Sequence, residues 1–381
     1  MGDIPAAVRA KARDAGASGW LENLPRLVGD LCRDWGLRPG AAFGDATEAY
    51  VVSVTREDGT PAVLKILMPR RGAAFAAELT VLRLAAGEGC CRLYAYDVDR
   101  AALLLEHLGP SMSELNLPQP RRLEILTDLA TALWRRTDAD LPTALTRLAW
   151  QAAYIPRKWA ELGKPCSRAA VDQALAAAAS RGRAWDPRRA VLIHGDVHQW
   201  NALSVLAGSG ATIGEPRAAH AAGTDPPNEP SLLGRRAACV DGDIPAGADS
   251  RNAGADRRDA GTDRRPAGLG GAAGLGGAAG LGGAAGLGGA AGFRLVDPDG
   301  LIAEPEADLG VLMREDPVEL LDGDPWERAR WLATRTGTDA TAIWEWGLVE
   351  RVATGLVLTV AGVQPIAAHM LAAADEVGRR S

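Results

Sequence analysis

A glycine- and alanine-rich tract inside the chain sets the strongest limit on how it can fold. Residues 267–292 contain the unit GLGGAA four times, and the wider block 205–292 is polar, rich in Gly, Ala and Pro, and without hydrophobic periodicity. Such a block buries too little apolar surface to offset the entropy of ordering it. We therefore predict a long disordered insertion at 205–292, with the folded structure built from the residues on either side.

The bulk composition is that of a large globular protein. A chain of 381 residues with 47% apolar residues suffices for two domains or for one large two-lobed domain. The net charge of −6 argues against a broad basic surface for nucleic acid, so no nucleic-acid partner is expected. The cysteines at 32, 90, 91, 166 and 239 form no CxxC pair, which predicts a reduced, cytoplasmic protein without a zinc site.

The two ends of the chain show no membrane signal. The opening MGDIPAAVRAKARDAG lacks the apolar core of a signal peptide. The uncharged run 352–374 is long enough to raise the question of a membrane span, but Gly355, Gly362 and Gln364–Pro365 interrupt it. We expect two buried helices joined at Gln364–Pro365 and no membrane partner.

Strand patterns dominate the first 109 residues, and helical patterns dominate the rest. After a helical lead-in over 1–36, the strand-like runs 49–54 and 62–67 flank Asp58–Gly59, which predicts a β-hairpin. A helix over 75–86 and two further strands follow, and from Pro120 the spacing is helical apart from the short strands VLI (191–193) and FRLV (293–296). The pattern predicts an α+β fold with a small β-rich lobe at 1–109 and a mostly helical lobe at 110–381.

The segment HGDVHQWN, residues 194–201, is the strongest chemical signal. An Asp followed five positions later by Asn, in a loop after a short strand, is typical of a phosphotransferase catalytic loop, in the form HGDxxxxN. The carboxylate must face the acceptor hydroxyl while the amide turns towards a metal. The spacing makes Asp196 the candidate catalytic residue and Asn201 a candidate magnesium ligand.

The segment LVDPDG, residues 295–300, supplies the expected partner. An Asp at the end of an apolar strand can bind the magnesium that bridges nucleotide phosphates. On its own the segment indicates only a turn. After an HGDxxxxN loop, Asp297 becomes the second candidate magnesium ligand, and Asp299, on the turn itself, a weaker one.

A lysine in an apolar strand marks the nucleotide side of the site. Lysine occurs only at positions 11, 65, 158 and 164, among 42 Lys and Arg residues, so Lys65 within VLKIL calls for a reason. With Glu78 on the following helix it matches the kinase lysine that contacts the α- and β-phosphates and is held by a glutamate. Alternatively, Lys65 is an exposed strand residue and Glu78 a solvated helix residue. Gly44 in FGDATEAY is a weaker candidate for a phosphate-facing turn.

These motifs resemble the aminoglycoside phosphotransferase superfamily, and in particular its streptomycin-6-kinase and hydroxyurea phosphotransferase branch of antibiotic-resistance kinases. The resemblance spans most of the chain outside 205–292, including FGDATEAYVVSV, AVLKILMPR, LLLEHLG, LIHGDVHQWN, LVDPDGLIAEPEADLG and WEWGLVERVATGL. The sequence departs from the family pattern in two places: the long insertion, and Asp299, where a basic residue would be natural.

The resemblance implies a two-lobed protein-kinase-like fold, ATP, Mg²⁺ and phosphoryl transfer to a small-molecule hydroxyl. It implies that Glu106 to Leu108 form the hinge whose backbone binds the adenine. It also implies that Asp308 either steadies the catalytic loop or caps the helix after Pro305. His194 and His198 are expected to be fixed by local hydrogen bonds. Transfer to an antibiotic would give resistance by inactivation, and the chain is expected to be a monomer or a weak homodimer.

The acceptor is left open. A cationic aminocyclitol such as streptomycin would need carboxylates and aromatic faces, whereas hydroxyurea would not. The candidates for an anionic pocket are Glu304, Glu306, Glu345, Glu350, Trp344 and Trp346, although each is also explained as a solvated helix residue or a core tryptophan. The alternatives are a kinase of a metabolite alcohol or sugar, and a pseudokinase-like nucleotide-binding protein. Intact Lys65, Asp196, Asn201 and Asp297 argue against the pseudokinase.

Overall fold

The computed structural model describes residues 4–44, 48–69, 74–206, 217–218 and 292–380. The ten strands are β1 Leu37–Ala42, β2 Ala49–Arg56, β3 Pro61–Leu67, β4 Leu93–Asp97, β5 Ala102–Glu106, β6 Val191–Ile193, β7 Ala202–Ser204, β8 Arg217–Ala218, β9 Phe293–Leu295 and β10 Leu301–Ala303. The ten α-helices are α1 Ala6–Asp14, α2 Ser18–Asp34, α3 Ala74–Ala85, α4 Gln119–Leu133, α5 Ala144–Glu161, α6 Arg168–Ala184, α7 Glu306–Leu312, α8 Pro325–Thr336, α9 Ala340–Val360 and α10 Ile366–Arg380. Both counts refer to the described ranges.

Strands β1 to β5 of the first part of the chain form one six-stranded sheet together with β8, in the order β1-β2-β3-β5-β4-β8. The predicted hairpin is confirmed as β2 and β3. Its turn is closed by Asp58, whose carboxylate accepts from Thr60 N at 2.9 Å, and by Gly59 at φ +82°. The predicted lead-in is also helical, and the buried Leu24, Val28 and Leu31 of α2 pack in one core with residues of this sheet.

The edge of this sheet corrects part of the prediction for the insertion. No regular structure was expected in 205–292, but Arg217–Ala218 lie parallel to Ala95 and Tyr96 of β4. Two residues are too few to produce a periodic pattern, so this strand leaves no signal in the sequence. Residues 207–216 and 219–291, and with them the GLGGAA tract, lie outside the described residues.

Two short antiparallel ladders are formed by strands that lie between α6 and α7 in the sequence. The sequence also predicts that VLI and NALSVL, before the insertion, lie beside FRLV, after it. β7 pairs with β9, which confirms this for NALSVL, but for VLI the prediction is wrong, because VLI is β6 and pairs with β10. The segment Asp297–Gly300 connects β9 to β10, and the two strands pair with different partners.

Helices make up most of the described residues after Gln119, and α9 is their centre. It packs against α5, α6, α7, α8 and α10, and most of its apolar residues from Ala342 to Leu356 are buried. The expected joint between two C-terminal helices is confirmed at Gln364–Pro365 between α9 and α10. Within the described ranges, none of the helices combines the length and apolarity needed to cross a membrane.

The architecture is the predicted α+β type, with a strand-rich first part and a helical second part. Helix α3 is the next element after β3, and Glu78 on it contacts Lys65 of that strand. The described residues belong to one compact unit. The lobe boundary at residue 109 stays a prediction.

Candidate active site

Lys65 joins three distant parts of the chain. Its Nζ lies 2.6 Å from Glu78 Oε1 on α3 and 2.6 Å from Asp297 Oδ1 after β9. Lys65 is 8% exposed and Glu78 5%, which rules out the interpretation of both as surface residues. Burial alone would lower the pKa of Lys65, but the carboxylates of Asp297 and Glu78 raise it, so the ammonium stays charged.

The turn that carries Asp297 is pressed against α3. Asp297 has a φ of +57° and Gly300 a φ of +69°, both in the left-handed region. A Cβ at Gly300 would lie 2.8 Å from Val81 Cγ2 and 3.1 Å from the backbone oxygen of Ala77, so only glycine fits. This close approach brings the loop and Glu78 to the same lysine.

The start of the loop after β6 is held by the carboxylate of Asp308. Asp308 on α7 accepts from His194 N at 3.1 Å, Gly195 N at 2.7 Å and Trp134 Nε1 at 3.1 Å. The residue preceding α7 is Pro305, and the Asp308 carboxylate serves the loop rather than the start of its own helix. The sequence offered two roles for Asp308, steadying the catalytic loop or capping the helix after Pro305. Its contacts are those expected of the first role.

His194 ties the loop to the strand before Asp297. Its Nδ1 accepts from Asp196 N at 3.2 Å, so its Nε2 carries the proton and donates to Val296 O at 3.0 Å. Burial lowers its pKa, which favours this neutral form. The ring is fixed by local hydrogen bonds, as predicted.

Asp196 is surrounded by donors on both carboxylate oxygens. Arg314 donates to Oδ1, while His198 Nε2 donates to Oδ2 at 3.1 Å and Asn201 Nδ2 lies 3.3 Å from Oδ2. Burial alone would raise the pKa of Asp196, but His198 and Arg314 hold it well below its usual range. The side chain is 31% exposed, so an ionised carboxylate remains accessible.

Asn201 and Asp297 are brought together by the β7–β9 ladder. Ala202 pairs with Leu295, and Val296 N donates to Asn201 O at 2.9 Å, which leaves Asn201 beside the residue that precedes Asp297. Asn201 Nδ2 donates to the Asp196 carbonyl at 3.1 Å. Because the amide nitrogen is used in this way, Oδ1 is the atom left to bind a cation.

The two candidate ligands fit a magnesium ion better than a metal held by protein alone. The Asp297 side chain is 57% exposed, so its carboxylate keeps an accessible oxygen beside the one that Lys65 holds. Within the described ranges there is no cluster of three or more His, Cys, Asp or Glu side chains suited to a metal. One carboxylate, one amide oxygen and the phosphates of a nucleotide are a usual Mg²⁺ environment.

The predicted hinge connects the sheet to the β7 ladder. Glu106 N donates to Arg92 O at 2.9 Å, and the Glu106 carboxylate accepts from Arg92 N at 3.1 Å. Beyond the buried Leu108, Gly109 N donates to Ser204 O at 2.8 Å. Contact of Glu106 and Leu108 with adenine stays a prediction. So does the role of Gly44, where a Cβ would meet no atom within 4 Å.

A chain of alternating charges runs away from Asp196 and includes residues that the sequence did not single out. Arg314 Nη1 lies 2.9 Å from Glu350 Oε2, and Glu350 Oε1 lies 3.0 Å from Arg147 Nε. Arg147 Nη1 then lies 3.0 Å from Asp299 Oδ2. Arginine is the common cation of this chain, so neither Arg314 nor Arg147 stands out by type or spacing. Their partner Glu350 was assigned to a substrate pocket instead.

The other candidates for an anionic pocket are used inside the protein. Glu304 accepts from Trp346 Nε1 at 2.8 Å, Glu306 pairs with Arg189 at 2.8 Å, and Glu345 pairs with Arg181. Trp344 stacks on Trp326 with ring centroids 4.3 Å apart. These internal partners favour the alternative offered by the sequence, in which the residues are structural rather than parts of an acceptor pocket.

The class of site follows from these contacts. A strand lysine held by a helix glutamate, an HGDxxxxN loop and an Asp at the end of the next strand are the parts of a kinase-type phosphotransfer site. Lys65 contacts Glu78 and Asp297, and Asp196 contacts Asn201 within the loop.

Comparison with known proteins identifies the relatives. Residues 34–216 match the family model described as aminoglycoside/hydroxyurea antibiotic resistance kinase. A hydroxyurea phosphotransferase from Kitasatospora aureofaciens is 32% identical over 53% of this chain and 60% of its own length. A streptomycin 6-kinase from Streptomyces glaucescens is 32% identical over 53% of this chain and 66% of its own length. The matches bear out the resemblance to this branch of the aminoglycoside phosphotransferases.

Among solved structures, an ethanolamine kinase from Plasmodium vivax aligns with 90% of this chain and 81% of its own, at 9% identity and a TM-score of 0.45. This chain spans less than two thirds of the length of each of the two curated relatives, the hydroxyurea phosphotransferase and the streptomycin 6-kinase.

Proposed function

We propose that the protein is an ATP- and Mg²⁺-dependent phosphotransferase that phosphorylates a hydroxyl of a small molecule. The acceptor in this proposal is an aminoglycoside or aminocyclitol antibiotic such as streptomycin, or hydroxyurea, and transfer would inactivate it. A cytoplasmic location, where ATP is available, is part of the proposal.

The observation that carries the proposal is the double contact of Lys65. One ammonium lies 2.6 Å from a helix carboxylate and 2.6 Å from the carboxylate of a candidate magnesium ligand. Burying a cation between two acids is costly unless geometry and partners are good. A nucleotide site explains this arrangement, because Lys65 would then face the phosphates while Asp297 faces their metal.

Each residue has a stated task in the transfer. A bound Mg²⁺ would neutralise charge on the phosphates, and Asn201 and Asp297 would hold it. Glu78 orients Lys65, and Asp196 accepts the hydrogen bond of the acceptor hydroxyl. The low pKa of Asp196 makes it a weak base, which suits a loose transfer in which orientation matters more than early proton removal.

One carboxylate near Asp196 favours a cationic acceptor. Asp299 pairs with Arg147 through Oδ2, but its side chain is 54% exposed, more than those of Glu304, Glu306 and Glu345. A Cβ at Gly195, the residue before Asp196, would lie 3.0 Å from Asp299 Cβ, so the two acids are close neighbours. An ammonium or guanidinium group of an acceptor would find an accessible acid there. Hydroxyurea has no such group, so Asp299 separates the two acceptors by their chemistry.

A transfer assay tests the proposal. Purified protein with ATP and Mg²⁺ is incubated with streptomycin, related aminoglycosides, hydroxyurea and a neutral sugar, and the phosphorylated product is detected by mass spectrometry. Product is expected with an antibiotic, and Asp196→Ala should reduce its formation by roughly 10²- to 10⁴-fold. Equal transfer by both proteins would reject Asp196 as the catalytic residue.

A resistance screen in a sensitive host separates the remaining alternatives. Expression should raise the inhibitory concentration of one compound in the antibiotic panel. If transfer occurs only to the sugar, the protein is a metabolite kinase. If Mg·ATP binds and no acceptor is phosphorylated, the pseudokinase alternative holds.

A further inference from the structure

We propose that Glu350 is a positioning residue for the transfer, acting on Asp196 through Arg314. This inference rests on the proposed function. It assigns a role to a buried carboxylate on α9 that would not touch nucleotide, metal or acceptor.

The first step is the position of Glu350. It is 2% exposed, and it receives hydrogen bonds from Arg147 Nε at 3.0 Å, Gln151 Nε2 at 2.8 Å and Arg314 Nη1 at 2.9 Å. Three donors from two parts of the chain, helix α5 and the segment after α7, therefore fix both of its oxygens. A buried carboxylate held in this way cannot change its rotamer without leaving a donor unpaired.

The second step is the geometry of Arg314. Its Nη1 contacts Glu350 and also donates to Thr354 Oγ1 at 2.6 Å, while its Nη2 contacts Asp196 Oδ1. A guanidinium is planar and rigid, so fixing one of its nitrogens sets the direction of the other. Glu350 thereby determines from which side Arg314 approaches Asp196.

The third step concerns the atom left for the acceptor. A carboxylate offers about four lone-pair positions. On Asp196, His198 and Asn201 use Oδ2, and Arg314 uses one side of Oδ1. The remaining position is on Oδ1, the atom that Arg314 holds. The orientation of Arg314 therefore decides where the acceptor hydroxyl is received.

The same carboxylate also reaches the acceptor side by a second route. Arg147 bridges Glu350 to Asp299 with contacts of 3.0 Å on each side. Glu350 is thus the common anchor of two arginines, one holding Asp196 and the other holding Asp299. Lys65, Glu78 and Asp297 are outside this chain of contacts, so nucleotide binding should not depend on it.

The test compares Glu350→Gln, Arg314→Lys and a matched control, Glu345→Gln. Glu345 lies on the same helix and pairs with Arg181, away from Asp196. The measurements are kcat and KM for the acceptor identified above, acceptor-free hydrolysis of ATP, and the affinity for Mg·ATP. Glu350→Gln and Arg314→Lys should each lower kcat about 10- to 100-fold, as for other residues that orient a reacting group, with Mg·ATP affinity within about 2-fold of wild type. Glu345→Gln should match wild type.

Three results would overturn the inference. Glu350→Gln could keep kcat within about 2-fold, it could lose Mg·ATP affinity as much as kcat, or Glu345→Gln could lose as much kcat as Glu350→Gln. If Glu350→Gln does not fold, Arg314→Lys decides, since lysine keeps the charge but cannot bridge both acids. If wild type phosphorylates no acceptor, ATP hydrolysis is the readout, with water in place of the hydroxyl. A wild type that neither binds nor hydrolyses ATP would reject the proposed function itself.

Discussion

Lys65 is one of four lysines in the chain, and its two acidic partners come from positions 13 and 232 residues away. The strand context made Lys65 recognisable because arginine is the usual cation here. No comparable signal existed for Arg314 or Arg147, since an arginine among many arginines carries no information about its partner. Pair geometry of this kind depends on the tertiary fold, so it could not be predicted from sequence.

Loss of the Lys65 ammonium should destabilise the fold as well as the nucleotide site. Lys65→Met leaves the buried Glu78 carboxylate without its cation, and breaking a buried pair from one side costs about 3–5 kcal/mol. Urea unfolding should show this loss in the free energy of unfolding. The double variant Lys65→Met, Glu78→Met should recover much of it. A double variant as unstable as the sum of the two single variants would show that the pair is not coupled.

Asp308 is expected to tolerate even a conservative change poorly. In Asp308→Asn, an amide NH₂ replaces a carboxylate oxygen that faces the N–H groups of His194 and Gly195. An unsatisfied buried donor costs about 1–3 kcal/mol, and the displaced loop should lower kcat. Unfolding and transfer assays on the same preparation measure both effects.

A second aspartate provides the control for this change. Asp339 caps α9 by accepting from Thr341 N at 2.7 Å, and Asn is as good as Asp at such a position. Asp339→Asn should therefore keep wild-type stability and activity. Equal tolerance of both substitutions would contradict the assigned role of Asp308.

At the scale of elements, the turn between β9 and β10 depends on α3. In Gly300→Ala, a methyl group would be forced against Val81 and the Ala77 backbone in addition to the cost of positive φ. Overpacking of this kind costs about 1–3 kcal/mol and should move Asp297, so activity should fall with stability. Thermal unfolding and Mg·ATP affinity are the measurements.

Gly59 in the β2–β3 turn isolates the backbone contribution. It has a φ of +82° like Gly300, but a Cβ there would meet no atom within 4 Å. Gly59→Ala should cost about 1–2 kcal/mol for the left-handed conformation alone and leave nucleotide binding unchanged. If both variants bind Mg·ATP equally well, the close approach to α3 does not position Asp297.

Elements with strong local signals were predicted correctly, and those defined by distant partners were not. The β2–β3 hairpin and the α9–α10 joint follow from Asp58–Gly59 and from Gln364–Pro365. The pairing of β6 with β10 could not be predicted, because three-residue strands have no periodicity and their partner depends on where the turn at 297–300 directs the chain. The contact between Glu304 and Trp346 could not be predicted for the same reason, since nothing local shows that they meet each other.

For the whole molecule, the insertion should be dispensable for folding and transfer. Val205 N donates to Gly292 O at 2.9 Å, so the chain positions that flank 207–291 are already adjacent. Replacing 207–291 by a short turn converts β7 and β9 into an ordinary hairpin. The entropic cost of closing a loop grows only slowly with its length, so shortening this loop should change the free energy of unfolding little. Soluble yield, thermal unfolding and transfer activity should stay close to wild type. The change removes β8 from the edge of β4, so a small loss of stability is expected.

A large loss of transfer activity in a well-folded deletion variant would contradict this prediction. It would show that residues 207–291 contribute to capture of the acceptor. A deletion variant that retains 207–218 separates the effect of β8 from that of the remainder.

The pairing of β6 with β10 and of β7 with β9 also fixes when the site can form during translation. The HGDxxxxN loop emerges between β6 and β7, but the partners of both strands, β10 and β9, are translated only after the GLGGAA tract. At roughly 5–20 residues per second, the ribosome needs several seconds to translate the intervening codons. During this time the loop with Asp196 and Asn201 is flanked by strands whose partners have not been synthesised. Lys65 and Glu78 can meet early, whereas Asp297 is translated late, and Asp308 and Arg314 follow it. The site therefore cannot be assembled before residues 293–314 have been translated, and a nascent chain arrested before them would carry the sheet with Lys65 but not the assembled site.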